Sequence, residues 1–247
     1  MIRLKHKIYL FTLMALLQYS CSKDSPAPAE DSPLSTPSAI QISTTEDKAV
    51  IRGKADPGSD VTFQYLAKNG QVLRTVHADA SGNFDLTVDR LVGYEQQLKA
   101  FASKAEQTSE ALILDKIPAK ADYAGGWTQA SDLMQSRRWK SDQTASRTLI
   151  KQTAATPPYD MFATVAQKYF DFKADGVFHF EVSSPLQFKH QAGTWVMDAS
   201  GIITINTVIP LGAMQIKNAR IQYLDSDRLT LLANIDDGLF LISMTKE

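Results

Sequence analysis

Few side chains in this sequence are of the types that carry nucleophilic, redox or metal chemistry. The 247 residues include one cysteine, Cys21, and four histidines. Of these histidines, His77, His179 and His190 lie beyond the N-terminal segment. A zinc site needs three or four ligands brought together, and the sequence offers His179 and His190 no evident partners. We therefore predict no metal site and no cofactor.

The sequence does not indicate acid–base catalysis either. The carboxylate pairs Asp225/Asp227 and Asp236/Asp237 stand in turn-like sequence, where Asp favours the local backbone geometry. There is no Gly-x-Ser-x-Gly elbow, no His-Glu-x-x-His helix, and no glycine-rich loop of the kinds that bind phosphate or dinucleotides. We predict no catalytic residue, so an enzyme is the least favoured class of function.

The N-terminal segment predicts export. Three basic residues precede an apolar run at residues 8–17. This run fits a signal peptide and is too short to cross a bilayer as a helix. Small Ser20 directly before Cys21 resembles the lipobox, the cleavage and lipidation signal of bacterial lipoproteins. An ordinary secretory signal followed by a coincidental cysteine is the alternative.

The lipobox resemblance implies that residues 1–20 are removed and that Cys21 carries lipid. Several acyl chains, with about 0.8 kcal/mol for each buried CH₂, would hold the chain on a membrane. The next three residues, Ser22-Lys23-Asp24, resemble the short tag that sends some Gram-negative lipoproteins to the outer face of the outer membrane. We therefore expect a lipid-anchored protein of the outer membrane, on its periplasmic or cell-surface face.

Composition separates a stalk from a globular remainder. Residues 21–38 contain four prolines among Ser, Thr, Ala and acidic residues, a mixture that cannot bury apolar surface. The whole chain is 44% hydrophobic and 21% charged, as in globular proteins. Removing Arg3, Lys5 and Lys7 with the signal segment leaves 23 basic residues against 27 acidic ones, so the net charge changes from −1 to −4. This balance argues against nucleic acid as a partner.

Residues 39–117 alternate between apolar and polar side chains and predict a β-sandwich of about seven short strands. Asn69-Gly70 predicts a two-residue turn, and Ala80-Ser81-Gly82 predicts a three-residue turn that ends on glycine. Together the two turns place six apolar side chains on one face, through the pairs Phe63/Val76, Val61/Ala78, Ala78/Phe84 and Val76/Leu86. A one-residue slip in either hairpin would scatter this set over both faces.

Three stretches of the first domain carry a family resemblance. Ile51-Arg52-Gly53, Asp56-Pro57-Gly58 and Asp79-Ala80-Ser81-Gly82-Asn83-Phe84 resemble bacterial immunoglobulin-like repeats of surface proteins. The resemblance covers most of residues 39–115. It implies an immunoglobulin-like sandwich that acts as a spacer or an adhesion module.

Residues 122–247 predict a second domain, an antiparallel barrel. Three hairpins each carry one apolar face: Phe170/Phe180 with Phe172/Phe178, Trp195/Ile205 with Met197/Ile203, and, across Asp237-Gly238, Ile235/Phe240 with Ala233/Ile242 and Leu231/Met244. Hairpins in succession favour an up-and-down barrel, because closure removes exposed strand edges. The predicted fold class is therefore all-β, a sandwich followed by a barrel.

The second domain also carries a resemblance. Leu133-Met134 before Trp139, Tyr169-Phe170-Asp171-Phe172 with Asp175-Gly176-Val177-Phe178, and Gly193-Thr194-Trp195 resemble a lipocalin-like domain of bacterial lipoproteins over residues 130–245. The resemblance implies a barrel that holds a small apolar or amphipathic ligand. The predicted registers direct five aromatic side chains into the interior, and these are the candidate ligand-binding residues: Phe170, Phe172, Phe178, Phe180 and Trp195. Residues 154–166 interrupt the alternation and predict a mobile loop or a short helix over the barrel mouth.

Two non-catalytic functions remain open. One is a lipoprotein whose barrel binds a small apolar molecule, and the other is a surface module that binds glycan or protein, with the sandwich as spacer. Pro118 and Gly125-Gly126 mark a junction, and the apolar faces are expected to close within each half. We therefore expect two independent domains joined near residues 116–125.

Overall fold

A computed structural model describes residues 33–67, 70–150, 168–182, 188–209, 212–235 and 238–247. The predicted signal segment, Cys21, most of the stalk and the predicted mouth segment 154–166 lie outside the described residues. Residues Leu34–Glu247 form one compact unit. The first eight strands are β1 Ser38–Thr44, β2 Lys48–Lys54, β3 Asp60–Tyr65, β4 Val72–His77, β5 Asn83–Asp89, β6 Leu98–Lys104, β7 Gln107–Thr108 and β8 Leu112–Ile113.

These eight strands form two sheets that face each other across an apolar core. One sheet has the order β1-β2-β5, and the other has the order β4-β3-β6-β7 with β8 also paired to β6. Both sheets contribute to one buried cluster, which includes Ile51, Phe63 and Leu86. The Phe63 and Phe84 rings meet edge to face at 5.9 Å across the two sheets. The predicted sandwich is confirmed.

The face predicted for the first domain is correct, but all four of its predicted pairings are wrong. Of the six side chains, five are buried and Val76 is partly buried against the same core. Strand β4 does not pair with β5, because the turn at 79–82 carries the chain from one sheet to the other; Phe84 pairs with Gly53 instead. Val61, not Phe63, lies opposite Val76, and an irregularity follows at Phe63/Gln64. An alternating pattern defines a buried face but does not name the strand that lies beside it.

The second half of the chain contains one helix and nine strands in its described part. They are α1 Trp127–Gln135, β9 Arg138–Ser141, β10 Arg147–Ile150, β11 Lys168–Phe172, β12 Val177–Val182, β13 Phe188–Met197, β14 Ile203–Ile209, β15 Gly212–Leu224, β16 Arg228–Ile235 and β17 Gly238–Lys246. Each strand from β11 to β17 pairs with the next, and β9 pairs with both β11 and β17. This closes an eight-stranded antiparallel barrel. Strand β10 pairs with β17 further along the same edge that β9 occupies.

Two of the three predicted barrel hairpins are confirmed residue by residue. Phe170 pairs with Phe180 and Phe172 with Phe178, and Trp195 pairs with Ile205 and Met197 with Ile203. The closing glycines have the left-handed conformation that such turns need, with φ +80° at Gly176 and +74° at Gly201.

The third hairpin is displaced by two residues from its predicted register. Ile235 pairs with Gly238, and Ala233 therefore pairs with Phe240 rather than with Ile242. Residues 236–237, between these two strands, lie outside the described residues. A slip of two residues leaves every side chain on its predicted face, so the apolar pattern could not exclude it.

Helix α1, which the sequence pattern did not predict, closes one end of the barrel. Its Ala130 and Met134 side chains are fully buried in the barrel core. The indole nitrogen of buried Trp139 donates a hydrogen bond of 2.9 Å to the Met134 carbonyl. Trp127 packs directly against Gly201 in the β13–β14 turn. We call this the helix end of the barrel, and the opposite end, where β11 begins and β12 finishes, the loop end.

The expectation that the apolar faces close within each half is wrong. Four leucines of the barrel, all less than 8% exposed, belong to the core of the sandwich: Leu149, Leu232, Leu239 and Leu241. Backbone contacts reinforce this packing, because Gln71 donates a hydrogen bond of 3.0 Å to the Leu149 carbonyl and Gly70 forms a bridge with Ile150. Strands β16 and β17 are buried on both faces over most of their length. The outer wall of the barrel therefore forms part of the first domain's core.

Candidate functional site

The five predicted interior aromatic residues come together in one cluster. Each is at most 7% exposed, and all five belong to the barrel core. The ring centroids of Phe170/Phe180, Phe172/Phe178 and Phe172/Trp195 lie 5.2–5.3 Å apart. The Trp195 indole donates a hydrogen bond of 2.9 Å to the Lys173 carbonyl, which fixes that ring at the helix end. The alternation of β11, β12 and β13 thus builds a continuous aromatic wall.

This wall is closed at the helix end. Phe172, Phe178 and Trp195 lie next to the two hairpin turns on that side. Met134 of α1 is fully buried in the same core, and Trp139 of β9, whose indole bonds the Met134 carbonyl, pairs with Phe170. A ligand would therefore have to enter from the loop end, where Phe170 and Phe180 form the inner aromatic surface.

Polar side chains point into the barrel at the loop end. Lys168 shares the inward register of Phe170 and Phe172 and is 5% exposed. It is the one buried residue with a formal charge in the described part of the chain. Thr207, 4% exposed, shares the inward register of Ile203 and Ile205, and its hydroxyl has no hydrogen-bond partner within the described residues.

A buried ammonium group is costly unless it is paired or hydrogen-bonded. Lys168 takes part in at least one hydrogen bond, ion pair, ring contact or electrostatic interaction, so it is not without a partner. Sequence reasoning missed Lys168 as an interior residue, although its spacing of two and four residues from Phe170 and Phe172 was a sufficient signal.

The histidines and the Asp225 carboxylate form ion-pair or turn contacts within the fold. His77 is exposed and bonds Asp60 at 2.9 Å between the ring Nδ1 and the carboxylate. His179 is partly exposed, and its ring Nδ1 lies 4.0 Å from the Asp171 carboxylate. Asp225 accepts backbone hydrogen bonds from Asp227 and Arg228, which confirms its predicted role in a turn. These bonds, after one from the Tyr223 hydroxyl, lower the pKa of Asp225.

The described part of the chain holds no group of three or more His, Cys, Asp or Glu side chains arranged for a metal ion. It also contains no helix with the length and apolar character of a membrane span. No protein-family model matches the sequence. A comparison with curated proteins likewise finds no significant match.

Proposed function

We propose that this chain is a lipid-anchored, non-catalytic binding protein whose barrel holds one small amphipathic molecule. The apolar body of the ligand lies against Phe170 and Phe180, and its polar head lies near Lys168 and Thr207. The observation that carries the proposal is a lysine and a threonine directed into an otherwise largely apolar interior. Eight-stranded barrels have room for packed side chains or for one small ligand.

The family assignments belong to the same proposal. The strand order of the two facing sheets is compatible with an immunoglobulin-like domain, and the closed eight-stranded barrel is compatible with a lipocalin-like domain. The apolar run at 8–17 followed by Ser20-Cys21 supports lipidation at Cys21 and attachment to the outer membrane. The acidic balance of the chain supports a partner other than nucleic acid.

A displacement assay tests the barrel site. A hydrophobic dye should bind the wild-type protein, and a fatty acid should displace it. Replacing Lys168 by methionine removes the charge at similar side-chain length. We expect Lys168→Met to lower the affinity for the fatty acid by about tenfold, or 1.4 kcal/mol. The affinity for the matching fatty alcohol should not change. Lys217→Met removes an exposed lysine on the barrel exterior and is the matched control.

Close packing of the five rings favours a second function. If the rings fill the interior, the barrel is a scaffold, and the protein binds glycan or protein through its outer surfaces. Phe178→Ala separates the two cases, because Phe178 is fully buried between Phe170 and Phe172. A filled interior predicts a loss of roughly 3–5 kcal/mol in unfolding free energy. That loss together with an absence of dye binding would contradict the barrel site and favour the surface module.

A further inference from the structure

A polar cleft of about 400 Å³ lies between the sandwich and the outer wall of the barrel. Asp47, Lys48 and Asp89 form its sandwich side, and Arg228 stands on its barrel side. A smaller cleft of about 240 Å³ adjoins it and shares Lys48, Asp89 and Arg147. The first volume is within the range of sites for small molecules, about 300–1,000 Å³. The cleft is separate from the barrel interior.

The lining of the cleft has an excess of positive charge. Four cationic side chains line it, Lys48, Lys120, Arg147 and Arg228, against two carboxylates, Asp47 and Asp89. Asp47 bonds Lys120, which lowers the pKa of the Asp47 carboxyl. Asp89 bonds Lys48 and lies 3.6 Å from an Arg147 Nη. Both carboxylates are therefore already engaged, Asp47 with Lys120 and Asp89 with Lys48 and Arg147, and the lining keeps a surplus of two positive charges.

The two arginines have unused hydrogen-bonding capacity in the described structure. The Arg147 Nε is buried and has no hydrogen-bond partner among the described residues. The Arg228 guanidinium lies 3.8 Å from the centre of the Tyr223 ring and bonds the Tyr223 hydroxyl, and a guanidinium carries five N–H donors in all. Outside the lining, Asp142 and Asp225 also lie close to the Arg228 charge. Both are bonded within their own turns.

Two buried hydroxyl groups complete the lining. Thr230 and Ser243 are 7% and 3% exposed, and both contribute to the cleft. Their hydroxyl oxygens lie 3.2 Å apart, so one hydroxyl hydrogen is used in their mutual bond. The second is available to a ligand, because each hydroxyl carries one donor. The cleft thus combines two arginine forks with a hydroxyl donor.

We infer that this cleft binds a small oxyanion, a carboxylate, sulfate or phosphate group carried on a small molecule. Guanidinium forks match the geometry of such groups, and charge-assisted hydrogen bonds to them are stronger than neutral ones. The cleft is lined from both domains, so it exists only because the sandwich and the barrel pack together.

Anion titration of the purified protein tests the inference. Sodium sulfate, phosphate and glucuronate are compared with sodium chloride at equal ionic strength, with the melting temperature and backbone-amide NMR shifts as readouts. We expect a saturable rise in melting temperature with at least one of the three anions, and shift changes centred on Asp89, Arg147 and Thr230. A preference for glucuronate points to a carboxylated sugar, whereas a preference for sulfate or phosphate points to the inorganic ion or its esters.

Substitutions of the two cleft arginines give a second test of anion binding. The double variant Arg147→Gln, Arg228→Gln should lower the affinity for the anion at least tenfold. The control Arg52→Gln removes an exposed charge on β2 and should leave that affinity unchanged. The inference is overturned if none of the anions exceeds chloride, if Arg52→Gln weakens binding equally, or if the shift changes lie away from the cleft. The wild-type shift map decides the question on its own if the double variant fails to fold.

Discussion

The side-chain carbonyl of Gln222 on the barrel accepts a hydrogen bond of 2.8 Å from the backbone N–H of Val92 in the first domain. The same amide donates a 2.8 Å bond to the Arg90 carbonyl. A side chain of the barrel thus satisfies a backbone N–H and a backbone carbonyl of the sandwich. The Arg90 guanidinium extends this junction by donating to the carbonyls of Thr45, Pro118 and Ala119.

Gln222→Ala should destabilise the protein as a whole. The substitution leaves the Val92 N–H and the Arg90 carbonyl without their partners, and each unsatisfied buried group costs about 1–3 kcal/mol. Urea unfolding followed by tryptophan fluorescence and by circular dichroism measures the loss. Lys217→Ala on the same strand is exposed and should have little effect. A Gln222→Ala protein as stable as wild type would contradict this role for the amide.

Leu149→Ala tests the shared core directly. Leu149 lies on β10 of the barrel region, is 1% exposed and packs in the sandwich core. Its truncation should cost about 2–5 kcal/mol. The exposed Val196→Ala should cost less than about 0.5 kcal/mol.

The shared core also predicts how the protein unfolds. We expect one cooperative transition in wild type, with both spectroscopic probes giving the same midpoint. Two separate transitions, or two stable fragments after proteolysis near residues 116–125, would mean that the domains fold independently despite their contact.

Some of the fold follows from local sequence alone. The turns at 174–176 and 199–201 have fixed lengths and closing glycines, so the pairings Phe172/Phe178 and Trp195/Ile205 could be predicted exactly. The β16–β17 register could not, because a slip of two residues preserves the face of Leu231 and Ala233. The turn at 79–82 gave no sign that it joins two sheets rather than two neighbouring strands.

The sequence of β17 contains a signal for the interface between the domains. Leu239-Phe240-Leu241-Ile242 is a continuous apolar run, which indicates a strand buried on both faces rather than on one. The five interior rings were predicted correctly as a set, because alternation sets their face and the turns at 174–176 and 199–201 set their pairings. The residues of the polar cleft were beyond sequence reasoning, because Lys48, Lys120 and Arg228 come from distant segments that meet only in the folded chain.

The lipid anchor gives a prediction that is independent of the fold. Cys21→Ser should abolish membrane attachment, because Cys21 is the one cysteine in the chain and follows the apolar run at 8–17. Detergent-phase partitioning of mutant and wild-type protein from whole cells measures this. A mutant that still enters the detergent phase would show that some other feature holds the protein at the membrane.

Tyr65 gives a prediction about alkaline stability. The side chain is 2% exposed, and its hydroxyl is buried without a hydrogen-bond partner among the described residues. Burial raises the pKa of Tyr65 to about 12, against smaller opposing effects from the Arg147 charge and from the nearby Gln96 side chain, which does not reach hydrogen-bonding geometry with the hydroxyl. The unfolded chain, with the ordinary pKa of about 10, therefore loses this proton more readily than the folded protein.

The sign of the pH dependence follows from that difference. The contribution of Tyr65 is fully present below pH 10 and is lost as the pH rises towards 12, at up to about 1.4 kcal/mol per pH unit. Tyr65→Phe should remove this part of the alkaline loss while keeping the ring in the core. At neutral pH the variant should match or exceed wild type, since it lacks an unpartnered buried hydroxyl. Urea unfolding of both proteins at pH 7, 10 and 11 measures the difference, and equal alkaline losses would mean that Tyr65 titrates normally in the folded state.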